Sequence, residues 1–164
     1  MNKEELKYQI AVTLLEGIGS IGAKKLIAYC GGAEAIFKEK KATLLKIPNI
    51  GKKAAKTIIK SNVFAEAEQE IEYIQKNNIQ AHFYLNKSYP QRLLHCEDGP
   101  IVLYTKGNLD LNAQKVISIV GTRKATVKGK AFTEKLVEEI ALHNPIIVSG
   151  LAYGIDICAH KAAL

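Results

Sequence analysis

Twice in the last third of the chain a β-branched run is followed directly by a glycine and then by residues at helical spacing. Val116-Ile-Ser-Ile-Val120 precedes Gly121, and Ile146-Ile-Val-Ser149 precedes Gly150. Short apolar runs of this kind suit strands of a parallel sheet covered on both faces. Between them Thr126–His143 reads as a helix with Phe132, Leu136, Val137, Ile140 and Ala141 as its inward face, and Pro145 stops it. A further helix opens over Gly154–Leu164. The order strand, helix, strand, helix predicts a parallel pair joined by a right-handed crossover, side by side if no strand intervenes.

Upstream the texture differs. From Glu4 to about Asn62 apolar residues recur at helical spacing, as in Leu6, Ile10 and Val12, in Leu26–Ile27, and in Ala54–Ala55 with Ile58–Ile59, broken by glycine-containing turns. Phe64, Ala67, Ile71 and Ile74 form one stripe between Val63 and Asn77, which predicts another helix, and Asn77–Asn78 can end it. Ala81–Leu85 and Ile101–Tyr104 read as short strands around a loop holding Tyr89–Pro90 and Gly99–Pro100. The expected class is α/β. An all-α module over 1–62 leads into the first part of a Rossmann-like parallel sheet over 63–164. A stable sheet of that type usually has more strands, so the pattern reads as the front portion of a larger protein.

Charge narrows the function classes. The formal net charge is +7 and it is unevenly placed: twelve lysines face five glutamates up to Asn62, whereas cations and acids balance at eleven each beyond it. Such a basic segment suits phosphate-bearing polyanions, or else is a solubilising lysine surface. No apolar run approaches the roughly 20 residues of a membrane span. The N-terminus MNKEELKYQI carries acids where a secretory leader has a basic segment. A cytoplasmic protein without membrane contact is expected. Cys30, Cys96 and Cys158 lie far apart and form no metal-ligand spacing, so no metal is expected and each reads as a small apolar residue in a reducing compartment.

Two segments of the basic module share a turn pattern. Ile18-Gly19-Ser20-Ile21-Gly22-Ala23-Lys24-Lys25-Leu26 and Ile47-Pro48-Asn49-Ile50-Gly51-Lys52-Lys53-Ala54-Ala55 each place an apolar residue and glycine in a turn, then two lysines, then a helix. Glycine lets backbone approach a phosphate and leaves amides free at a helix start. Gly22, Lys24 and Lys25, with Gly51, Lys52 and Lys53, are therefore candidate phosphate contacts, indifferent to base sequence. The alternative is that these are only tight turns between helices. The second segment resembles the helix-hairpin-helix motif P-G-I-G-x-x-x-A-x-x-I through Pro48, Ile50, Gly51, Ala55 and Ile58, with Asn49 in place of the first glycine. Asparagine is the least costly replacement where φ is positive. The first segment matches more loosely, with Leu26 at the alanine position. The resemblance implies a helix-hairpin-helix (SAM-like) module.

The second candidate site is the pair of loops behind the parallel strands, where open α/β sheets bind ligands. Gly121-Thr122-Arg123-Lys124 and Ser149-Gly150-Leu151-Ala152-Tyr153-Gly154 both bring amides and a helix start toward a bound anion. Neither is a G-x-G-x-x-G or Walker loop, so no dinucleotide or other cofactor is expected. Arg123 can fork onto a phosphate, and Lys124, Lys128 and Lys130 follow, some of them turned away by helical geometry.

These residues carry a family resemblance. I-V-G-T-R at Ile119–Arg123, then V-S-G-L-A-Y-G-I-D-I-C-A-H-K-A-A-L at Val148–Leu164, is similar to the DprA/Smf family, whose pattern is G-[ST]-R with S-G-[LG]-A-x-G-I-D-x-x-A-H. Ser88–Leu94 and Gly99–Gly107 resemble the family's entry into its extended Rossmann domain. The resemblance implies that Gly121, Thr122, Arg123, Lys124, Ser149, Gly150, Leu151, Ala152 and Gly154 form a basic pocket for single-stranded DNA. It further implies a non-enzymatic protein that protects the strand and helps load a RecA-type recombinase in natural transformation, with a homodimer in the full-length family. The alternative is a nucleotide-cleaving phosphoribohydrolase of the lysine-decarboxylase-like group.

Asp156 and His160 lie four apart, so they share a helix face as an acid–base or metal pair, or serve the fold, Asp156 holding amides or a loop and His160 packed and hydrogen-bonded. No third ligand or nucleophile accompanies them, and no catalytic residue is assigned. Tyr84, Tyr89, Tyr104 and Tyr153 are candidates for stacking on bases, Tyr153 foremost because it lies inside the second loop.

Overall fold

The computed structural model describes residues 2–164, which divide into two compact units, one reaching to Asn112 and one covering Ala113–Leu164. The first is a helical cluster with a two-stranded sheet. Its elements are α1 (Lys3–Thr13), α2 (Ser20–Cys30), α3 (Ala33–Lys38), α4 (Lys41–Leu44), α5 (Lys52–Lys60), α6 (Phe64–Lys76), β1 (Ile79–Phe83), α7 (Gln91–Leu94) and β2 (Val102–Lys106). Leu6, Ile10 and Ala11 of α1 meet Ala67, Ile71 and Ile74 of α6 in one core cluster. The stripe on α6 thus falls inward as its spacing predicts, because residues three and four apart share a helix face. A second cluster joins Val12, Leu26, Ile36, Leu44 and Ile58 to Phe83 and Val102 of the sheet.

The β1–β2 pair is antiparallel, with Ile79 opposite Lys106 and Phe83 opposite Val102. It packs on the helices, so α6 and both strands belong to the same unit as residues up to Asn62. The change of texture at 62/63 is a change from lysine-rich helices to mixed elements, while the compact units part at Asn112. Between β1 and β2, Tyr89 is fully buried and donates from its hydroxyl to Pro100 O at 2.6 Å, which answers the polar end of a buried ring.

The second unit runs β3 (Val116–Ser118), α8 (Val127–Ala141), β4 (Ile146–Val148), α9 (Ile155–Ala163). The two strands are neighbours and parallel, Val116 opposite Ile146 and Ser118 opposite Val148. Thr126 caps α8, its hydroxyl accepting from Gly129 N at 3.1 Å. Ile119, Val137 and Ala159 form the buried cluster, with Ile140, Ile147 and Ile155 against it.

The inward face of α8 differs from expectation. Thr133 and Val137 are buried and Leu136 and Ile140 half-buried, whereas Phe132 is 69% exposed and Ala141 is also outside. Thr133, Val137 and Ile140 sit at spacings of four and three, while Phe132 is about 100° round the helix from Thr133. A threonine reads as polar in sequence, yet its hydroxyl donates to Gly129 O at 2.9 Å and leaves the methyl for the core. No helix among the described residues is long and apolar enough to cross a membrane.

Candidate nucleic-acid interface

The two glycine loops expected from sequence meet at the ends of neighbouring strands in the Ala113–Leu164 unit. Ile119 N donates to Val148 O at 2.9 Å, and the Ser149 hydroxyl donates back to Ile119 O at 2.6 Å, so the strand ends stay in register up to the turns. The start of α9 then leans on the first loop: Ile155 N donates to Thr122 O at 3.2 Å. This approach requires glycine at two places. A Cβ on Gly121 would lie 2.7 Å from the Ile155 side chain, and one on Gly154, whose φ is 90°, would strike Thr122 O. Leu151, between them, also holds a positive φ, at 56°.

Arg123 and Lys124 are exposed, and among the described residues neither pairs with a carboxylate. Together with Lys130, Lys161, Tyr153 and Gly154 they line a cleft of about 500 Å³. Tyr153 is 84% exposed. Of the other tyrosines, Tyr89 is core and Tyr84 is half-buried, its ring edge-on to Phe83 at 4.9 Å. Lys128 is exposed but does not reach the cleft lining. Lys161 went unread in the sequence, because it lies far from both glycine loops. The signal was its place four residues after Ile157, on the same face of α9. Cys158 borders the cleft from below. Its thiol contacts Lys130 O at 3.5 Å and Glu134 Oε1 at 3.6 Å, and burial, with the Glu134 carboxylate second, pushes it up, away from the reactive thiolate.

Asp156 is buried, and its carboxylate is taken up by the loops. Oδ1 accepts from Gly121 N at 3.3 Å and Oδ2 from Gly150 N at 3.1 Å. Of the two roles open to it in sequence, the geometry matches the one of fixing a loop. The glycine amides expected to face an incoming anion therefore face an internal one. The Nε2 of His160 is buried without a hydrogen-bond partner among the described residues, so the packing expected there is present and the hydrogen bond is not.

The other expected contacts lie in the unit that reaches to Asn112, and here the register of the first hairpin needs correcting. Gly19 is the N-cap of α2 with φ −78° and ψ 177°, and Gly51 is the N-cap of α5 with φ −82° and ψ 176°. Two residues before each, Gly17 and Asn49 hold positive φ, 74° and 67°. The two turns thus correspond as Gly17-Ile18-Gly19 and Asn49-Ile50-Gly51, with buried Ala23 and Ala55 at the equivalent inner position. Gly22, expected at the turn, is the third residue of α2, and Ala23 takes the alanine place assigned to Leu26. The repeated Ile-Gly of this stretch hid the offset of three.

The lysines divide accordingly. Lys24 Nζ is held by Cys96 O at 3.1 Å and Glu97 O at 2.9 Å, and Lys25 is half-buried in a cleft between the turns that Asp98 also lines. Lys52 and Lys53 are exposed, without an ion pair among the described residues. Lys53 shares a second cleft with Lys56 and Lys60. From Lys40 to Lys60 the chain carries seven lysines and no acid.

Residues 80–164 match the family model described as DNA recombination-mediator protein A. The chain belongs to that family, DprA/Smf. Protein Smf of Synechocystis is 30% identical over all of this chain, which spans 42% of its length. The DNA processing protein DprA of Streptococcus pneumoniae is 41% identical over 80 residues, 49% of this chain and 28% of the relative. The X-ray structure of DNA processing protein A from the same organism superposes with a TM-score of 0.60 at 30% identity, over 96% of this chain and 53% of that one. The chain therefore spans about half or less of these DprA/Smf relatives. The family model takes in both glycine loops, β2 and all of β1 but Ile79, and leaves the lysine-rich helices outside its matched range.

Proposed function

We propose that this chain is the DNA-contacting front portion of a cytoplasmic DNA-processing protein that binds single-stranded DNA. In the whole protein this activity protects incoming strands and assists loading of a RecA-type recombinase during natural transformation, with a homodimer as the working form and no chemistry of its own. The parallel β3–β4 pair is then the beginning of an extended Rossmann-like sheet within 63–164. The helices up to Asn62 are a helix-hairpin-helix module, with Gly51, Lys52 and Lys53 as its outward contacts.

One observation carries the reading: two turns behind neighbouring parallel strands border a cleft in which Arg123, without an ion pair among the described residues, three lysines and the exposed Tyr153 meet one glutamate. Four cations around an open cleft suit a backbone of phosphates, and an exposed ring offers a sequence-tolerant stacking platform. The similarity to proteins named for DNA processing supports a nucleic-acid ligand.

The test is a salt titration of oligo-dT binding. Arg123→Ala is expected to weaken binding about tenfold and to reduce the slope of log affinity against log salt by about 0.7, the value of one lost phosphate contact on a single strand. Base preference should stay as in the parent. A variant that binds like the parent at every salt concentration overturns the assignment.

A further inference from the structure

An open α/β sheet normally offers a phosphate the free amides of the glycines behind its strands. In this protein both amides are already taken. Asp156 is 6% exposed, and its carboxylate spans the gap between the loops, one oxygen for Gly121 N and the other for Gly150 N. It is packed tightly there: a Cβ on Gly150 would lie 2.9 Å from Oδ2. A phosphate placed at the same amides would lose its donors and meet a fixed negative charge at contact distance, in a partly desolvated position where that repulsion is poorly screened.

We infer that Asp156 is an internal anion occupying the sheet's phosphate position, and so a specificity-determining residue that turns away free nucleotides and small phosphates. The inference rests on the reading of this unit as a single-strand site, and it names the ligand class of that site. What remains for a ligand is the outer cleft, whose cations Arg123, Lys124, Lys130 and Lys161 sit on exposed side chains or at the cleft rim. Exposed cations hold one phosphate weakly, and only a chain of linked phosphates engages several of them at once. The ligand is a phosphodiester strand of several nucleotides. A mononucleotide, a dinucleotide cofactor or inorganic phosphate lacks that multiplicity.

The experiment follows the amide signals of Gly121 and Gly150 by NMR in the full 164-residue chain, beside oligo-dT affinity. In the parent, millimolar phosphate or dAMP is expected to leave both signals in place, and saturable shifts of both would overturn the inference. Asp156→Ala empties the carboxylate position. Formate, which matches the missing group, should then shift both signals saturably. Because this carboxylate ties together the loops that carry Arg123 and Tyr153, oligo-dT affinity should fall about tenfold, and formate should restore part of it. Asp156→Asn keeps the position filled and should show no formate effect. Parent-like oligo-dT affinity in Asp156→Ala, with no shift on formate, sinks the proposal. Should that variant fail to fold, the parent's response to phosphate still decides. If the parent binds no oligo-dT at all, the single-strand reading fails, while the amide signals still judge Asp156.

Discussion

Asn49 shows how one side chain can preserve a turn that its neighbours define. It holds φ 67° two residues before the N-cap Gly51, where the equivalent residue of the other turn is Gly17 at φ 74°. An L-residue in that region suffers a Cβ–carbonyl clash, which asparagine tolerates best. Asn49→Ala should therefore lower stability by about 1 kcal/mol, while Asn49→Gly should stay within a few tenths, since glycine has no Cβ to strain. Urea midpoints of the two variants decide this, and equal midpoints would contradict it. Leu151 holds the same kind of conformation at 56° without such help. Its strain sits in the second glycine loop, two residues before Tyr153 of the proposed single-strand cleft, and sparsely populated backbone conformations tend to collect at functional sites.

At the scale of elements, α8 depends on its cap. Thr126 answers Gly129 N, and Thr126→Ala should cost about 1 kcal/mol in thermal or urea unfolding of its unit, with Thr126→Ser retaining most of it. The same helix marks where sequence is legible and where it is not. Val116–Ser118, Ile146–Val148 and the helices behind them lie where β-branched runs and helical spacing put them, because those patterns are local. The choice between Phe132 and Thr133 for the inner face was not legible, since it turns on a hydroxyl finding Gly129 O. Register was the second casualty. Ile18-Gly19 and Ile21-Gly22 look alike as letters, and only the left-handed Gly17 tells which pair makes the turn. The cleft was half legible: Arg123 and Tyr153 stand beside their glycines, but Lys161 joins them only once α9 is placed.

For the whole molecule, the stability of the unit reaching to Asn112 should carry a pH signature from one imidazole. His82 is buried on β1 with Nε2 2.8 Å from Thr105 Oγ1, and burial holds its pKa below the ordinary 6.5. As pH falls through 6.5 the unfolded chain takes up this proton first, so stability drops from there to the folded-state value and levels off below it. Urea midpoints on both sides of pH 6.5 should fall toward acid in the parent and fall less in His82→Gln; a parallel decline in the two would assign the loss to other groups. The Ala113–Leu164 unit is governed differently. Its two glycine loops are tied through one carboxylate and through the Ile155 N to Thr122 O bond. A lineage drifting in sequence cannot revise either loop by itself. Gly121, Gly150 and Asp156 form a set to be inherited or abandoned together, and a descendant that loses the acid should have rebuilt both bends.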